Sequence, residues 1–482
     1  MDHATRTPPP PEDLLAFRGG WLGALAPFLV FLGGVSWLGL SGAPDETGFG
    51  PVLVGAMGVG LLLARDRNRY AEAVVDGMSH RIVMLLVLAW LLAGMMGVLL
   101  RESGLVDALV GVAGAAGVGG GGWVAAVFLV AAVFSTATGT SLGTILVCAP
   151  ILYPATGALG GDPAFTIGAI LAGATFGDNV SPISDTTIAS ATTQGADLGG
   201  VVRSRMAYAL PAAAAALLTF VVLGGASEPA IGATGPTGLA APESTDRLGL
   251  VMLVVPAFVL TLLLRRAHLV VGLFSGVGSA AALGLLLGRF GPSDLMAIDR
   301  DAFTATGLLL DGMRRAFGVS IFTLLLMGLV GGLQASGLLE RVIRAIGRRA
   351  RTASGTAWWI FASISAATVL TTHSAVAILA VGPPAQGTGE AAGIGPYRPQ
   401  NLLAVAVYTY PFLLPFFIPT ILAASMTADA GVMPRVSPWA AGLHNVHSWG
   451  LLVVLVGSLV VGGRRASDAR RASREAPGGG AA

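Results

Sequence analysis

With 482 residues, 54% of them hydrophobic and 11% charged, the chain carries less than half of the roughly 25% charge typical of a soluble domain, which excludes an ordinary soluble surface. A formal net charge of +2 is too small to imply a nucleic-acid partner, and all 28 basic residues are Arg, a uniformity of composition rather than a binding face. The lone Cys148 excludes a disulfide framework and a cysteine metal site.

From the N-terminus, residues 1–17 lack the basic-then-apolar order of a secretory signal, so Met1 is expected to begin the mature chain and 1–19 to form a cytoplasmic tail. Residues 20–74 are expected to supply scaffold helices. Apolar stretches at 82–100, 206–223, 248–264 and 439–462 are each long enough to span a bilayer. Arg clusters at 65–69, 203–205, 265–266, 341–351 and 464–474 belong in the cytoplasm by the positive-inside rule. The loop with Asp45 and Glu46, the Gly-rich stretch 111–122 and the Arg-free linker 226–246 then lie outside.

Two segments repeat each other. One runs from Val75 and the other from Leu310; both carry Asp-Gly-Met at the start and Ser-Gly-Leu after the span. Each is followed by an apolar stretch interrupted by hydroxyl residues, FSTATGTSLGT at 134–144 and ATVLTTHSAVA at 367–377. The first Ser-Gly-Leu leads into Arg-free sequence and the second into Arg341 and Arg344, so the copies should sit in opposite orientations. Inverted repeats are an architecture of secondary transporters, with the substrate site near the midplane at broken helices. The expected fold is an all-α polytopic membrane protein with two inverted-topology repeats, broken helices and about 10 full spans plus two re-entrant hairpins. Its parts are repeat 1 over 75–225, an extracellular linker over 226–247, connecting helices over 248–309, repeat 2 over 310–462, and a cytoplasmic tail over 463–482.

The chemistry concentrates in GATFGDNVSPISDTT at 173–187. A charged residue inside a span costs about 2.5–3.5 kcal/mol on insertion scales, so Asp178 is expected to face a cavity or ion path. Gly177 and Pro182 should unwind the helix around Asp178, Asn179 and Ser181 and free carbonyl oxygens. Asp178, Asp185, Asn179, Ser181, Ser184, Thr186 and Thr187 form an oxygen-rich set suited to a hard cation such as Na+. Desolvation favours the neutral form of a carboxyl group, so such an acid can hold a proton or a cation in turn. The alternative is that Asp178 and Asp185 cap helix ends in a cytoplasmic loop.

Thr136, Thr138, Thr140 and Ser141 around Gly139 make one hydroxyl-rich break, and Thr371, Thr372, His373 and Ser374 make its counterpart; both read as hairpin tips. Thr and Ser also bond routinely to the preceding helical turn, which is the plainer explanation. His373, beside Thr372 and Ser374, is a candidate to titrate or touch substrate. In the second half VYTYPFLLPFFIPT holds Pro411, Pro415 and Pro419 but no carboxylate. Tyr408, Thr409 and Tyr410 there either line the site or pack against it. His444 and His447 read as interfacial residues at the outer surface, and Asp76 and Asp311 as helix caps.

The string FGDNVSPISDTTIASATTQGADL resembles the NhaC-type sodium/proton antiporter family, which carries a similar Gly-Asp-(Asn/Lys)-x-Ser-Pro-x-Ser-Asp-Thr-Thr signature. The likeness extends to Gly139–Ser141 and to the repeat layout, over roughly 75–462, with the 177–187 motif its specific part. It implies membership of the ion transporter superfamily, a scaffold that forms a homodimer, elevator-like movement, and a bacterial inner membrane with both termini cytoplasmic. On the motif it implies Asp178, Asn179, Ser181, Asp185 and Thr186 as cation or substrate ligands, with Asp178, Asn179 and Ser181 holding Na+; Thr140, Ser141, His373 and Ser374 join the candidate site as the hairpin tips. Where the family carries a more polar second-half stretch, this chain has Tyr-Pro-rich sequence.

The expected function is secondary transport without a cofactor: Na+/H+ antiport by alternating access at a shared carboxylate site, with Na+ as the transported or coupling ion and the bilayer as partner. The alternative is a sodium- or proton-coupled carrier of an organic acid or amino acid. An intramembrane enzyme is disfavoured because HExxH and GxSG are missing and Thr175 occupies the first glycine position of a GxGD motif. A passive channel differs from a carrier in lacking saturable, proton-coupled flux.

Overall fold

The computed structural model describes residues 14–41, 46–225, 247–265, 267–300, 303–347, 352–427 and 433–475. The linker expected over 226–246, the first 13 residues, the last seven, and Arg348, Arg349 and Arg351 lie outside the described residues.

Helices α1 (Trp21–Leu40) and α2 (Glu46–Leu63) pack together at the N-terminal side. The first large unit comprises α3 (Arg67–Met78), α4 (Arg81–Glu102), α5 (Leu105–Ala115), α6 (Gly121–Thr138), α7 (Ser141–Leu152), α8 (Pro163–Val180), α9 (Asp185–Gln194) and α10 (Leu198–Leu223). A 3-10 turn at Arg247–Leu253 leads into α11 (Val254–Leu264), α12 (Leu269–Leu286) and the short α13 (Pro292–Leu295). The second large unit comprises α14 (Leu308–Ala335), α15 (Leu338–Gly347), α16 (Ala353–Thr371), α17 (Ser374–Ala391), α18 (Tyr397–Ala406), α19 (Ile418–Ser425), α20 (Pro438–Leu443) and α21 (Val446–Glu475). One departure from an all-helical reading is a small antiparallel hairpin, β1 (Ala297–Asp299) with β2 (Thr304–Thr306), in the stretch expected to hold connecting helices.

Among the described residues seven helices are long and apolar enough to cross a membrane: α1, α4, α6, α10, α12, α14 and α16, with mean hydropathy of 1.3 to 2.6. Shorter apolar helices at Thr47–Leu63, Leu105–Ala115, Ser141–Leu152, Leu248–Leu264 and Val446–Val461 fill the space between them. The chain is a multi-pass membrane protein. Polar caps start the helices where sequence supplies them: the Asp162 carboxylate accepts from the Phe165 N–H at 2.9 Å and the Thr352 hydroxyl from Gly355 at 3.0 Å.

The repeated sequence becomes repeated local structure. Ser103 and Ser336 each end a long helix and donate to a carbonyl one turn back, Leu100 and Leu333, at 2.6 Å. Gly104 and Gly337 follow at φ 80° and 65°, the left-handed geometry that glycine adopts without penalty. Each leads to a short helix, a long helix, a one-step break, and then a further broken pair: α6–α7 with α8–α9 in the first unit, α16–α17 with α18–α19 in the second. Contacts along α14 run backwards against α3 and α4: Gly332 meets Tyr70, Gly328 meets Met78, and Gly312 meets Gly94. The equivalent helices α4 and α14 are therefore antiparallel. At their crossing a Cβ on Gly94 would stand 2.2 Å from the Gly312 carbonyl oxygen, so backbone touches backbone there.

The two acids expected to cap these helices do not. Asp76 lies within α3, whose cap is Asp66, and Asp311 lies in the first turn of α14, 3.4 Å from Arg314 on the same helix.

Candidate functional site

The backbone breaks assemble the site. Gly139 at φ 67° ends α6, extended Thr140 follows, and α7 begins at Ser141. A Cβ on Gly139 would come 3.0 Å from Ser184 N, so this break is pressed against the one between α8 and α9. That second break falls later than the sequence suggested. Helix α8 stays regular through Asp178 and Asn179 to Val180, and the chain unwinds only over Ser181–Ser184. The cause is Pro182, which forces the preceding Ser181 into extended backbone (φ −71°, ψ 129°) and does not act further upstream. In the second unit Thr372 at φ 52° and extended His373 separate α16 from α17, and residues 407–417 separate α18 from α19.

A cavity of about 110 Å³ opens where these breaks meet. Its walls include Thr140, Ser141, Asp178, Asp185, Thr186, His373, Ser374 and Tyr408, together with Pro411 and Pro419. Seven of the sequence-derived candidates thus come together from both halves of the chain. Asn179 and Ser181 do not line it. The Asn179 backbone carbonyl accepts from Arg205 at 2.5 Å, its side-chain amide is buried without a protein partner, and the Ser181 hydroxyl faces the Ile183 N–H at 3.4 Å. The oxygen-bearing side chains around the cavity are therefore those of Asp178, Asp185, Thr140, Ser141, Thr186, Thr372, Ser374 and Tyr408, a different set from the expected Asp178, Asn179 and Ser181.

Asp178 is 5% exposed. Its Oδ2 accepts from the Ser141 N–H, the first amide of α7, at 3.0 Å, which places a carboxylate at the positive end of that helix. Its Oδ1 is buried without a protein partner. Asp185 stands at the first turn of α9, exposed, with Oδ1 accepting from Thr186 N at 2.7 Å. Ser184 and Thr186 share a hydrogen bond of 2.9 Å, and the Tyr408 hydroxyl bonds to both. Tyr408 therefore lines the site, Thr409 folds back onto the Ala406 carbonyl at 2.6 Å, and Tyr410 turns into a separate apolar cleft of about 540 Å³ beside Trp21, Phe28 and Phe361. That larger cleft offers an ion almost no oxygen.

Other expectations resolve as packing. Thr136 and Thr138 bond to carbonyls one turn back at 2.7 and 2.9 Å, and Thr371 does the same at 2.8 Å. His373 is half-buried, with Nδ1 lacking a protein partner. His447 is no surface residue: it is fully buried with its ring edge-on to Phe176 at 5.5 Å, and His444 stacks edge-on to Phe165 at 4.5 Å. The aromatic rings of α8 cover them.

Sequence reasoning misplaced Arg205, which it counted with the cytoplasmic Arg cluster. Its side chain is fully buried and donates to the Asn179 carbonyl, to Thr187 Oγ1 at 2.7 Å and to Ser190 Oγ at 3.5 Å. A signal existed, because Arg205 falls in register with Val201, Ala209, Ala212 and Ala216, the buried stripe of α10. Gln400 on α18 also donates to Ser190, at 2.9 Å, and Asn401 to Ser204 at 3.0 Å, so α9 and α10 are laced to the second unit. At the polar edge of this contact the Tyr397 hydroxyl bonds to Asp197 and holds that carboxyl below the usual carboxylate range.

Comparison with known proteins points the same way. Residues 21–225, which include the Asp178 motif, match the Na+/H+ antiporter family. The chain is 29% identical over 218 residues to the Na+/H+ antiporter NhaC of Alkalihalophilus pseudofirmus, covering 44% of this chain and 46% of that protein. It is 26% identical over 242 residues to the Na+/H+ antiporter NhaC of Bacillus subtilis, covering 46% and 53%. It is 28% identical over 169 residues to the malate-2H+/Na+-lactate antiporter of Bacillus subtilis, covering 35% and 36%. The matched stretches thus span about half or less of these relatives. Through residues 21–225 the chain is thus similar to the Na+/H+ antiporter family, and its matched relatives include two antiporters named NhaC.

Proposed function

We propose that the protein is a secondary transporter exchanging Na+ for protons by alternating access, with Asp178 as the group both ions share. The observation that carries this reading is the buried Asp178 carboxylate, which lines a cavity between broken helices and has one oxygen without a protein partner. A carboxylate that holds a proton or a cation, but not both, couples their movements in opposite directions. Hydroxyl and carboxylate oxygens from Thr140, Ser141, Asp185 and Thr186 suit a hard cation. The antiparallel course of α4 and α14 supports inverted repeats, whose rocking would expose the cavity to each side in turn. The likeness to antiporters named NhaC supports Na+ as the cation; a homodimeric scaffold with cytoplasmic termini in a bacterial inner membrane is part of the same proposal.

The test is proton flux in proteoliposomes on addition of Na+, Li+ or K+, with Asp178→Asn beside the wild type. Na+-driven proton movement in the wild type, abolished in the variant, is the expected result. Absence of any cation-driven flux would remove the antiport reading.

A second reading, a sodium- or proton-coupled carrier of a small organic acid, has its own support. Helices α17 and α19 start at the cavity with His373 and Phe417 at their N-cap positions, and neither side chain caps its helix. Open helix N-termini favour an anion, and one matched relative is a malate/lactate antiporter. Saturable uptake of a carboxylate that depends on Na+ would select this reading.

A further inference from the structure

Among the described residues, the Asp, Glu and Arg side chains buried from solvent are Asp178 at 5% and Arg205 at 0% exposure. They sit on neighbouring segments, yet Arg205 meets neutral oxygens rather than a carboxylate. Arginine stays charged in any protein environment, and burying its charge is costly unless the group is held by hydrogen bonds. The three acceptors lie on both sides of one break: Asn179 O in the last turn of α8, Thr187 in the first turn of α9, and Ser190 one turn further. The planar fork of a guanidinium spans such a set, whereas an ammonium acts as a point charge.

The Asn179 carbonyl is one of the last four of α8, which have no partner inside their own helix. Arg205 satisfies it and adds a positive charge at the negative end of the helix dipole. Asp178 is the residue before Asn179, and Thr186 the residue before Thr187. The side chain that crosses the break therefore fixes the backbone that aims both of these cavity residues.

We infer that Arg205 is a positioning residue for the cavity, bridging the break between α8 and α9 from α10 and so setting how Asp178 and Thr186 face a bound cation. This rests on the Na+ reading for its functional arm and on backbone geometry alone for its structural arm. Loss of the fork loosens residues 181–187 and weakens cation binding without changing the groups that touch the cation.

The experiment compares Arg205→Lys and Arg205→Gln with the wild type in proteoliposomes, separating half-saturating Na+ from maximal proton flux, and follows hydrogen exchange of 181–187 in the same preparations. The expected result is at least a tenfold rise in half-saturating Na+ for Arg205→Gln, a smaller rise for Arg205→Lys, and faster exchange of 181–187 in both. A purely structural role would lower the amount of folded protein and the maximal flux while leaving half-saturation at the wild-type value, and that outcome overturns the inference. If Arg205→Gln does not fold, Thr187→Ala removes one acceptor and keeps the guanidinium; unchanged half-saturation and unchanged exchange in that variant also overturn it. If the wild type shows no Na+-driven flux, the antiport reading fails by itself, and exchange of 181–187 in Arg205→Lys still decides the bridge: faster supports it, unchanged overturns it.

Discussion

Tyr408 carries a hydroxyl from the second unit into the broken segment of the first, where it bonds to both Ser184 and Thr186. Removing it leaves those two bonded to each other at 2.9 Å, so neither is orphaned and the loss is that of ordinary hydrogen bonds, about 1 kcal/mol. For Tyr408→Phe we expect a stability loss of about 1 kcal/mol, read as a lower melting temperature, and a roughly fivefold rise in half-saturating Na+ if the same loss is felt by the cation site. Half-saturation equal to wild type would take Thr186 out of the cation's surroundings. Asp178, Thr186 and Ser141 were legible as candidates because carboxylates and hydroxyls stand out in apolar sequence. Tyr408 was ambiguous, since an aromatic ring among prolines packs as readily as it binds. Arg205 was misread because a nearby Arg203 made a convincing cytoplasmic pair; only the period of α10 separates the exposed member from the buried one.

Among elements, the crossing of α4 with α14 has little tolerance for added side-chain volume. Gly94 and Gly312 let the two backbones touch, and a side chain at either position has to push the helices apart. Overpacking of this kind costs about 1–3 kcal/mol, and here it acts on a contact that joins the two units. We expect Gly94→Leu to lose the monodisperse species on size-exclusion chromatography in detergent, and Gly94→Ala to lower the melting temperature while retaining it. A Gly94→Leu protein with wild-type melting would show that this crossing does not hold the units together. The helices and their breaks followed from local chemistry: Pro182 ends α8, Gly139 ends α6, and Ser-Gly-Leu ends α4 and α14. The small β1–β2 hairpin did not, because strands of three residues carry too short a pattern to read.

At the scale of the molecule, opposed orientation of the two units requires Arg65–Arg69 and the β1–β2 hairpin to face opposite sides of the membrane. Single cysteines test this cleanly because the native Cys148 is buried. Arg67→Cys should react with a membrane-impermeant thiol reagent only from the cytoplasmic side, and Thr304→Cys only from the outer side. Labelling of both from one side would break the proposed topology.

Composition and recurrent apolar stretches together pointed to a multi-pass membrane protein, because 11% charge cannot cover a soluble surface and several stretches are long enough to span a bilayer. The repeated strings and the buried-acid motif located the helix breaks, since glycine, proline and small hydroxyl residues act on the backbone within a residue or two. Tertiary structure decided which breaks meet. It separated Asn179 and Ser181 from the cavity, brought His373, Ser374 and Tyr408 into it from more than 180 residues away in the chain, and turned Arg205 inward. The physical reason is that local sequence sets where a helix stops, whereas the side chain a break presents to a distant partner depends on how the helices around it pack.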